Sequence, residues 1–378
     1  MKYIFISVNE NLNCGLLKSQ FIEPIINHFE ENFEIVSINR PFYSQEMEGV
    51  SQLNILLPQS VVAYNFLCVL YNLWAICCAL ILRVRYNVNS DTKLVARGYL
   101  SGLVAYYVKR IFNIDYIFDP RSLYPLECIT ANRMKVNSIS YRYWVGVESK
   151  IIGLAARTSC VSLGMADYYS RHYNVDNIVM VPCFRTEHGG FDKNKDVSSL
   201  KDSLNLNQKK KTILYYGSLN SGWNNLDLYT SHILNEFGRD VQFLIVSQDR
   251  DKILSSELGS LENVRVYSLD TLPEGITIND IFHCADYGMI FMDESHDWFT
   301  RLSVKFAEYT YFGLPVITNK WVGEAVRLIN EYQLYPSKVI ESNKCILVVP
   351  TVENKSRISH WAFDYFSPIN INKYTGNY

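Results

Sequence analysis

Apolar residues along the chain fall into short runs separated by polar or turn residues. Lys2–Ser7 (KYIFIS), Phe33–Ile38, Leu94–Arg97, Tyr116–Asp119, Thr158–Ser162 and Ile178–Cys183 each read as a strand buried on both faces, as in a parallel sheet. Between them, Cys14 through His28, Tyr99–Ile111, Tyr143–Ala155 and Met165–His172 carry helical patterns. A polar stretch at 187–211 follows, holding Gly189-Gly190 and Lys209-Lys-Lys211, and reads as a linker. The alternation then resumes with Thr212–Tyr216, Val241–Val246, Val264–Ser268 and Tyr287–Met292 as strands and a short helix at Ile278–Cys284. Strand and helix alternating twice over predict two α/β domains.

Two stretches depart from this rhythm. Val61–Leu82 is almost continuously apolar and ends at Arg83 and Arg85. At about 1.5 Å per residue it could just cross a bilayer core. A spanning helix would split the first domain's strands across the membrane, so a helix packed on the sheet, or one lying in the interface, is expected. The other stretch is WFTRLSVKFAEYTYFGLPVI, Trp298–Ile317. Thr300 and Ser303 both suit an N-cap, Gly313 a left-handed stop, and Pro315 forbids continuation before Val316-Ile317-Thr318 restarts as a strand. Lys305 and Glu308, three apart, share one face of its first turns. A cation there suits a phosphate, and a carboxylate one turn deeper suits sugar hydroxyls; the same spacing also describes an ordinary ion pair on a surface helix.

Composition narrows the picture. With 378 residues, 48% hydrophobic and 20% charged, the chain is long enough for two proper cores. A net charge of −2 gives no electrostatic case for nucleic acid as a partner. Nine cysteines without C-x-x-C spacing argue against a disulfide framework and a zinc site, and with no signal peptide at Met1 a reducing cytoplasm is expected. Asp293-Glu-Ser-His296-Asp297 has metal-ligand residue types but no defining spacing, so no metal is assigned. Gly217-Ser218, straight after a strand, forms a turn where a phosphate can approach the backbone. Asp119-Pro-Arg121 through Glu127 leaves a strand at the carboxyl end, where open α/β sheets place ligands. Arg121 and Glu127 either meet a sugar there, or Asp119 and Arg121 pair and cap the next helix. Gly15, in the first loop, and Arg97 and Arg301 are further site candidates.

Lys305-Phe-Ala-Glu308-Tyr followed by Gly313-Leu-Pro-Val-Ile resembles the donor-site helix of GT-B-fold retaining glycosyltransferases of family four, in the branch that keeps a single K-x-x-E. Thr300 stands where that family often has an earlier glutamate. Asp119–Glu127 resembles the F-D-x-R-G-x-W-x-D-E turn of the same branch, with Ser122 for Gly and Tyr124 for Trp. The basic pair that usually follows the Gly217 turn is absent. The resemblance implies an α/β GT-B fold, two Rossmann-like parallel-sheet domains facing across a cleft. It places the acceptor-side domain at 1–186, with a helix at 358–378 returning to it, and the nucleotide-sugar domain at 212–357. It implies a glycosyltransferase of the EC 2.4 class, moving a sugar from a nucleotide-diphosphate sugar to a glycan or lipid-linked acceptor with retention, in O-antigen or capsule synthesis. Gly217, Ser218, Lys305 and Glu308 would hold the donor, and Asp119, Arg121 and Glu127 are the catalytic candidates. The nucleotide sugar is a substrate and no cofactor is implied; a cytoplasmic protein with peripheral contact to the inner face of the membrane is expected. A GT-B-fold sugar-nucleotide epimerase and a catalytically silent partner subunit are the alternative readings.

Overall fold

The structure is a computed structural model describing residues 1–11, 14–39, 47–55, 67–187, 189–221, 224–340 and 345–376. It divides into two compact units, Met1–Pro182 with Pro368–Tyr378, and Cys183–Ser367.

The first unit holds a seven-stranded parallel sheet: β1 Lys2–Val8, β2 Asn32–Asn39, β3 Val50–Asn54, β4 Thr92–Arg97, β5 Tyr116–Asp119, β6 Arg157–Cys160 and β7 Ile178–Met180, ordered β3-β2-β1-β4-β5-β6-β7. The apolar runs form its centre because parallel strands are covered by helices on both faces; Ile4, Phe5 and Ile6 are fully buried. Strand β3 lacks a distinct apolar run and is an edge strand. The helix Leu67–Arg85 packs on the helix Gly98–Phe112 and buries Tyr71, Trp74, Ala75, Cys78, Ala79 and Leu82. Positions 61–66 of the apolar stretch lie outside the described residues. No described helix is long and apolar enough to cross a membrane.

The second unit holds a six-stranded parallel sheet: β8 Lys211–Tyr216, β11 Val241–Val246, β12 Val264–Tyr267, β13 Tyr287–Ile290, β14 Val316–Asn319 and β15 Lys338–Ile340, ordered β12-β11-β8-β13-β14-β15. A two-residue hairpin, β9 Asn220–Ser221 with β10 Asn224–Asn225, follows β8. The polar stretch read as a linker contains a helix, Val197–Ser203, with Asp196 accepting from the Ser199 N–H as its cap. Leu204 and Leu206 anchor it in the core, apolar residues too few to show a period against the lysines around them.

The chain's end also differs from the expected single returning helix at 358–378. A helix runs over Val352–Tyr365, opened by the Thr351–Asn354 capping box, and packs on the helix Val304–Tyr311 of the second unit. Pro368 cannot continue it. The 3-10 turn Pro368–Tyr374 then joins the first unit, where Asn372 donates to the His28 carbonyl at 2.8 Å.

Glycine is required where Tyr309 crosses β13: a Cβ on Gly288 would lie 2.3 Å from the Tyr309 ring. Gly288→Ala is expected to cost about 1–3 kcal/mol through overpacking. Gly146→Ala, in the helix Ile139–Leu154 with nothing within 4 Å of its Cβ, should be neutral or slightly stabilising. Thermal melts of the two variants check this contrast.

Candidate functional site

Two polar constellations sit at the carboxyl ends of the two sheets, and each belongs to its own unit. In the second unit, the Ser303 hydroxyl accepts from the Lys305 N–H at 3.3 Å and caps the helix Val304–Tyr311. Thr300, the other cap candidate, ends a 3-10 turn, Trp298–Thr300. The helix stops at Gly313, in the left-handed region at φ 74°, before Pro315. Tyr309, on the buried face, accepts from the Tyr216 N–H at 2.9 Å. This ties the middle of the helix to the last residue of β8.

The next residue is Gly217, with φ of 129°. A Cβ there would fall 2.6 Å from Lys305 Cε and 3.1 Å from its Nζ. The space the missing methyl leaves is therefore filled by the lysine stem, and the ammonium lies 5.4 Å from the Tyr215 ring centroid. The side chains of Lys305 and Glu308 make no hydrogen bond or ion pair among the described residues. Both residues are half-buried, and their surroundings desolvate them. Burial lowers the lysine's pKa, with the Glu308 charge opposing. Burial pushes the Glu308 carboxyl up to about 7, with Lys305 pulling the other way.

The Gly217-Ser218 turn offers less backbone than its glycine implies. Gly217 donates its N–H to the Val246 carbonyl at 2.9 Å. The Ser218 hydroxyl donates to Asp249 at 2.6 Å, and the Leu219 N–H donates to the same carboxylate at 3.0 Å. What the turn provides is close approach beside Lys305. Asp249, which holds the turn's shape, escaped the sequence reading; its place just beyond the end of β11 was the available signal. Arg301 bonds the Asp293 carbonyl at 3.3 Å and pairs with Asp297 at 3.4 Å, so it braces the acidic loop that leads into the helix. Asn225 donates to the Asp293 carboxylate from the other side. Among the described residues no cluster is arranged to hold a metal ion.

In the first unit, β1, β4 and β5 bring together Glu10, Arg97, Asp119 and Arg121. Arg97 lies 3.4 Å from Glu10 and 3.6 Å from Asp119, and Arg121 lies 3.6 Å from Asp119. Ser159 donates to Asp119 at 2.5 Å. Arg121 sits in the left-handed region at φ 63°, and Arg97 lies over the Phe21 ring at 4.9 Å. Glu10 Oε2, Arg97 Nε and Asp119 Oδ2 are buried at ion-pair distance without a hydrogen bond. Burial raises the Glu10 carboxyl, against the pull of Arg97. Glu10, missed in the sequence, belongs to the same group as Arg97, Asp119 and Arg121. Glu127 is not part of it, since its carboxylate accepts from Ser122 at 2.5 Å within its own turn. Gly15 opens the first helix after β1, exposed and with nothing within 4 Å of a Cβ.

No family model matches the chain, and no curated protein does. Solved structures do. Sucrose-phosphate synthase from Thermosynechococcus elongatus is similar with a TM-score of 0.64 and 12% identity, covering 98% of this chain and 97% of that one. HepE of Anabaena, solved with UDP and glucose, gives 0.64 and 11% over 100% and 98%. The lipopolysaccharide outer core galactosyltransferase WaaB gives 0.60 and 14% over 100% and 98%. This chain has the GT-B fold.

The perturbed carboxyl in the GT-B chain's second unit has a consequence for stability. Glu308 holds its proton more tightly folded than unfolded, where 4.5 is usual. Its contribution is complete below pH 4.5 and is lost as the pH rises through about 7. Glu308→Gln, always neutral, removes that loss. The melting temperature of the wild type should fall relative to the variant across this window. A difference independent of pH would contradict it.

Proposed function

We propose that the chain is a retaining glycosyltransferase of the family-four type, moving a sugar from a nucleotide-diphosphate sugar to a glycan or lipid-linked acceptor. The observation that carries this reading is Lys305, laid into the space left by Gly217, one turn from Glu308, its side chain in no ion pair or hydrogen bond among the described residues. Similarity in fold to HepE, solved with UDP and glucose, and to the galactosyltransferase WaaB supports it.

When the glycosidic bond of the donor breaks, negative charge grows on the leaving diphosphate. The Lys305 ammonium meets that charge in a poorly solvated place, where a fixed cation needs no reorganisation during the reaction. With the Gly217 and Leu219 N–H groups bonded within the protein, Lys305 takes a larger share of this task. Glu308 accepts hydroxyls of the donor sugar. In the first unit, two guanidinium groups and two carboxyls present donors and acceptors together. A hydroxyl, which donates and accepts at once, suits such a mixture better than an ion of either sign. These groups are therefore assigned to the acceptor. Asp119, enclosed by Ser159, Arg97 and Arg121, orients the arginines and is not a nucleophile. Retention then follows from reaction on the face of the leaving group. The donor is the sole small molecule required, and the setting is O-antigen or capsule synthesis at the cytoplasmic face of the membrane.

Lys305→Ala should lower kcat by about two orders of magnitude or more, as loss of one preorganised contact does. Turnover of nucleotide sugars with a lipid-linked or glycan acceptor measures it. Wild-type turnover by the variant would place the donor elsewhere. Interconversion of sugar nucleotides without an acceptor would mark an epimerase.

A further inference from the structure

Glu148, in the helix Ile139–Leu154 of the first unit, is 1% exposed and takes no part in the groups described above. It has no ion pair among the described residues; three phenols surround it instead. Tyr99 and Tyr169 donate to one carboxyl oxygen, Tyr169 at 3.4 Å, and Tyr173 donates to the other. Burial raises the carboxyl's pKa, with the hydrogen bonds from the three phenols opposing. Burial also pushes the Tyr99 phenol well up, and the Glu148 charge adds to this, so Tyr99 keeps its proton and stays a donor. A carboxyl is costly to bury without a cation, and an apolar side chain would fill the same volume without that cost. What the carboxyl adds is direction, because a hydroxyl that donates to it has its lone pairs turned elsewhere.

Tyr99 turns those lone pairs on the segment that carries Arg121. Its oxygen accepts from the Tyr124 N–H at 3.2 Å and lies 3.3 Å from the Ser122 carbonyl. The helix Tyr124–Thr130 receives no side-chain cap from Leu123, its own N-cap residue, and Pro125 brings no N–H. The Tyr99 hydroxyl, reaching in from the helix Gly98–Phe112, takes the place of that cap. Its ring packs edge-on to Phe118 at 5.4 Å and against Tyr124 at 5.2 Å, the residues that flank Asp119–Leu123. Inside that segment Arg121 holds a left-handed backbone, which a residue with a Cβ rarely adopts unless its surroundings impose it. Arg97 stands two residues before Tyr99, where β4 passes into the same helix. One hydroxyl therefore joins the segment bearing Arg97 to the segment bearing Arg121.

We infer that Glu148 is a positioning residue for sugar transfer, acting through the Tyr99 hydroxyl to fix how Arg97 and Arg121 stand relative to one another around Asp119. Both guanidinium groups lie 3.6 Å from that carboxylate, and their spacing decides which hydroxyls can bridge them. The inference rests on the assignment of this group to the acceptor and deepens it: Glu148 touches no substrate, yet the acceptor's fit depends on it.

Amide hydrogen exchange and acceptor kinetics on the full chain test this. In Tyr99→Phe the Tyr124 amide should exchange at least about tenfold faster than in the wild type, the effect of one lost hydrogen bond. The KM for a glycan or lipid-linked acceptor should rise about tenfold, while donor affinity by calorimetry stays that of the wild type. Glu148→Met, which accepts from no phenol, should behave like Tyr99→Phe. Glu148→Gln still accepts from Tyr99 through its amide oxygen and should restore most of both properties. Tyr99→Phe added to Arg121→Ala should leave the acceptor KM close to that of Arg121→Ala alone, since one guanidinium has no partner to be spaced from. A purely structural loss would multiply with Arg121→Ala and weaken donor and acceptor alike. Either of those results, or an unchanged Tyr124 amide in Tyr99→Phe, would overturn the inference. The exchange measurement needs no substrate, so a wild type that transfers no sugar contradicts the reading of function while the tie from Glu148 to the turn is still decided.

Discussion

One ring holds the second unit's site together. Tyr309 lies across β13 where Gly288 has no side chain, and its hydroxyl accepts from the last N–H of β8. The helix that carries Lys305 and Glu308 is thereby fixed against the turn that begins at Gly217. A buried phenol with a backbone partner is rigid, and a satisfied N–H at the end of β8 leaves the turn free to depart from the sheet. The lysine can then lie over Gly217 at a distance that any Cβ would forbid. Two glycines far apart in sequence thus serve one placement, Gly288 admitting the ring and Gly217 admitting the cation.

The electrostatics follow from that placement. A lysine and a glutamate one turn apart on an exposed helix would keep their ordinary proton affinities and contribute little. Here burial lowers the one and raises the other to about 7. Both shifts say that the charged forms are costly without a ligand. A diphosphate beside Lys305 would offset the cost of its charge, and hydroxyls beside Glu308 would do the same for the carboxylate. The first unit solves a different problem, holding carboxyl and guanidinium groups near neutrality with hydrogen bonds left to make. Its sheet order puts Glu10, Arg97, Asp119 and Arg121 side by side because β1, β4 and β5 are neighbours.

Much of the fold was legible because parallel strands are buried on both faces and so appear as unbroken apolar runs, as at Lys2–Ser7 and Val241–Val246. Strand β3 and the helix Val197–Ser203 were not, the first being an edge strand and the second short, with its apolar anchors hidden among polar residues. In the site, the sequence pointed to Lys305, Glu308 and Gly217 through spacing and the family resemblance together, each being local to one helix or one turn. It could not show Asp249 or Glu10, since their roles depend on which strands lie side by side. Nor could it show that Glu127 bonds its own turn or that Arg301 braces the acidic loop, because a charged residue at a strand's end reads alike whichever way it points.

The central claim is that Lys305, seated over Gly217, holds the diphosphate of a nucleotide donor. Calorimetric titration of uridine, guanosine, adenosine and thymidine diphosphates into the wild type and into Lys305→Met addresses it without needing an acceptor. The account predicts that one of them binds the wild type and binds the variant at least about tenfold more weakly, the loss of a charge-assisted contact. Equal affinity for the two proteins, or no binding of any nucleoside diphosphate to the folded wild type, would contradict it.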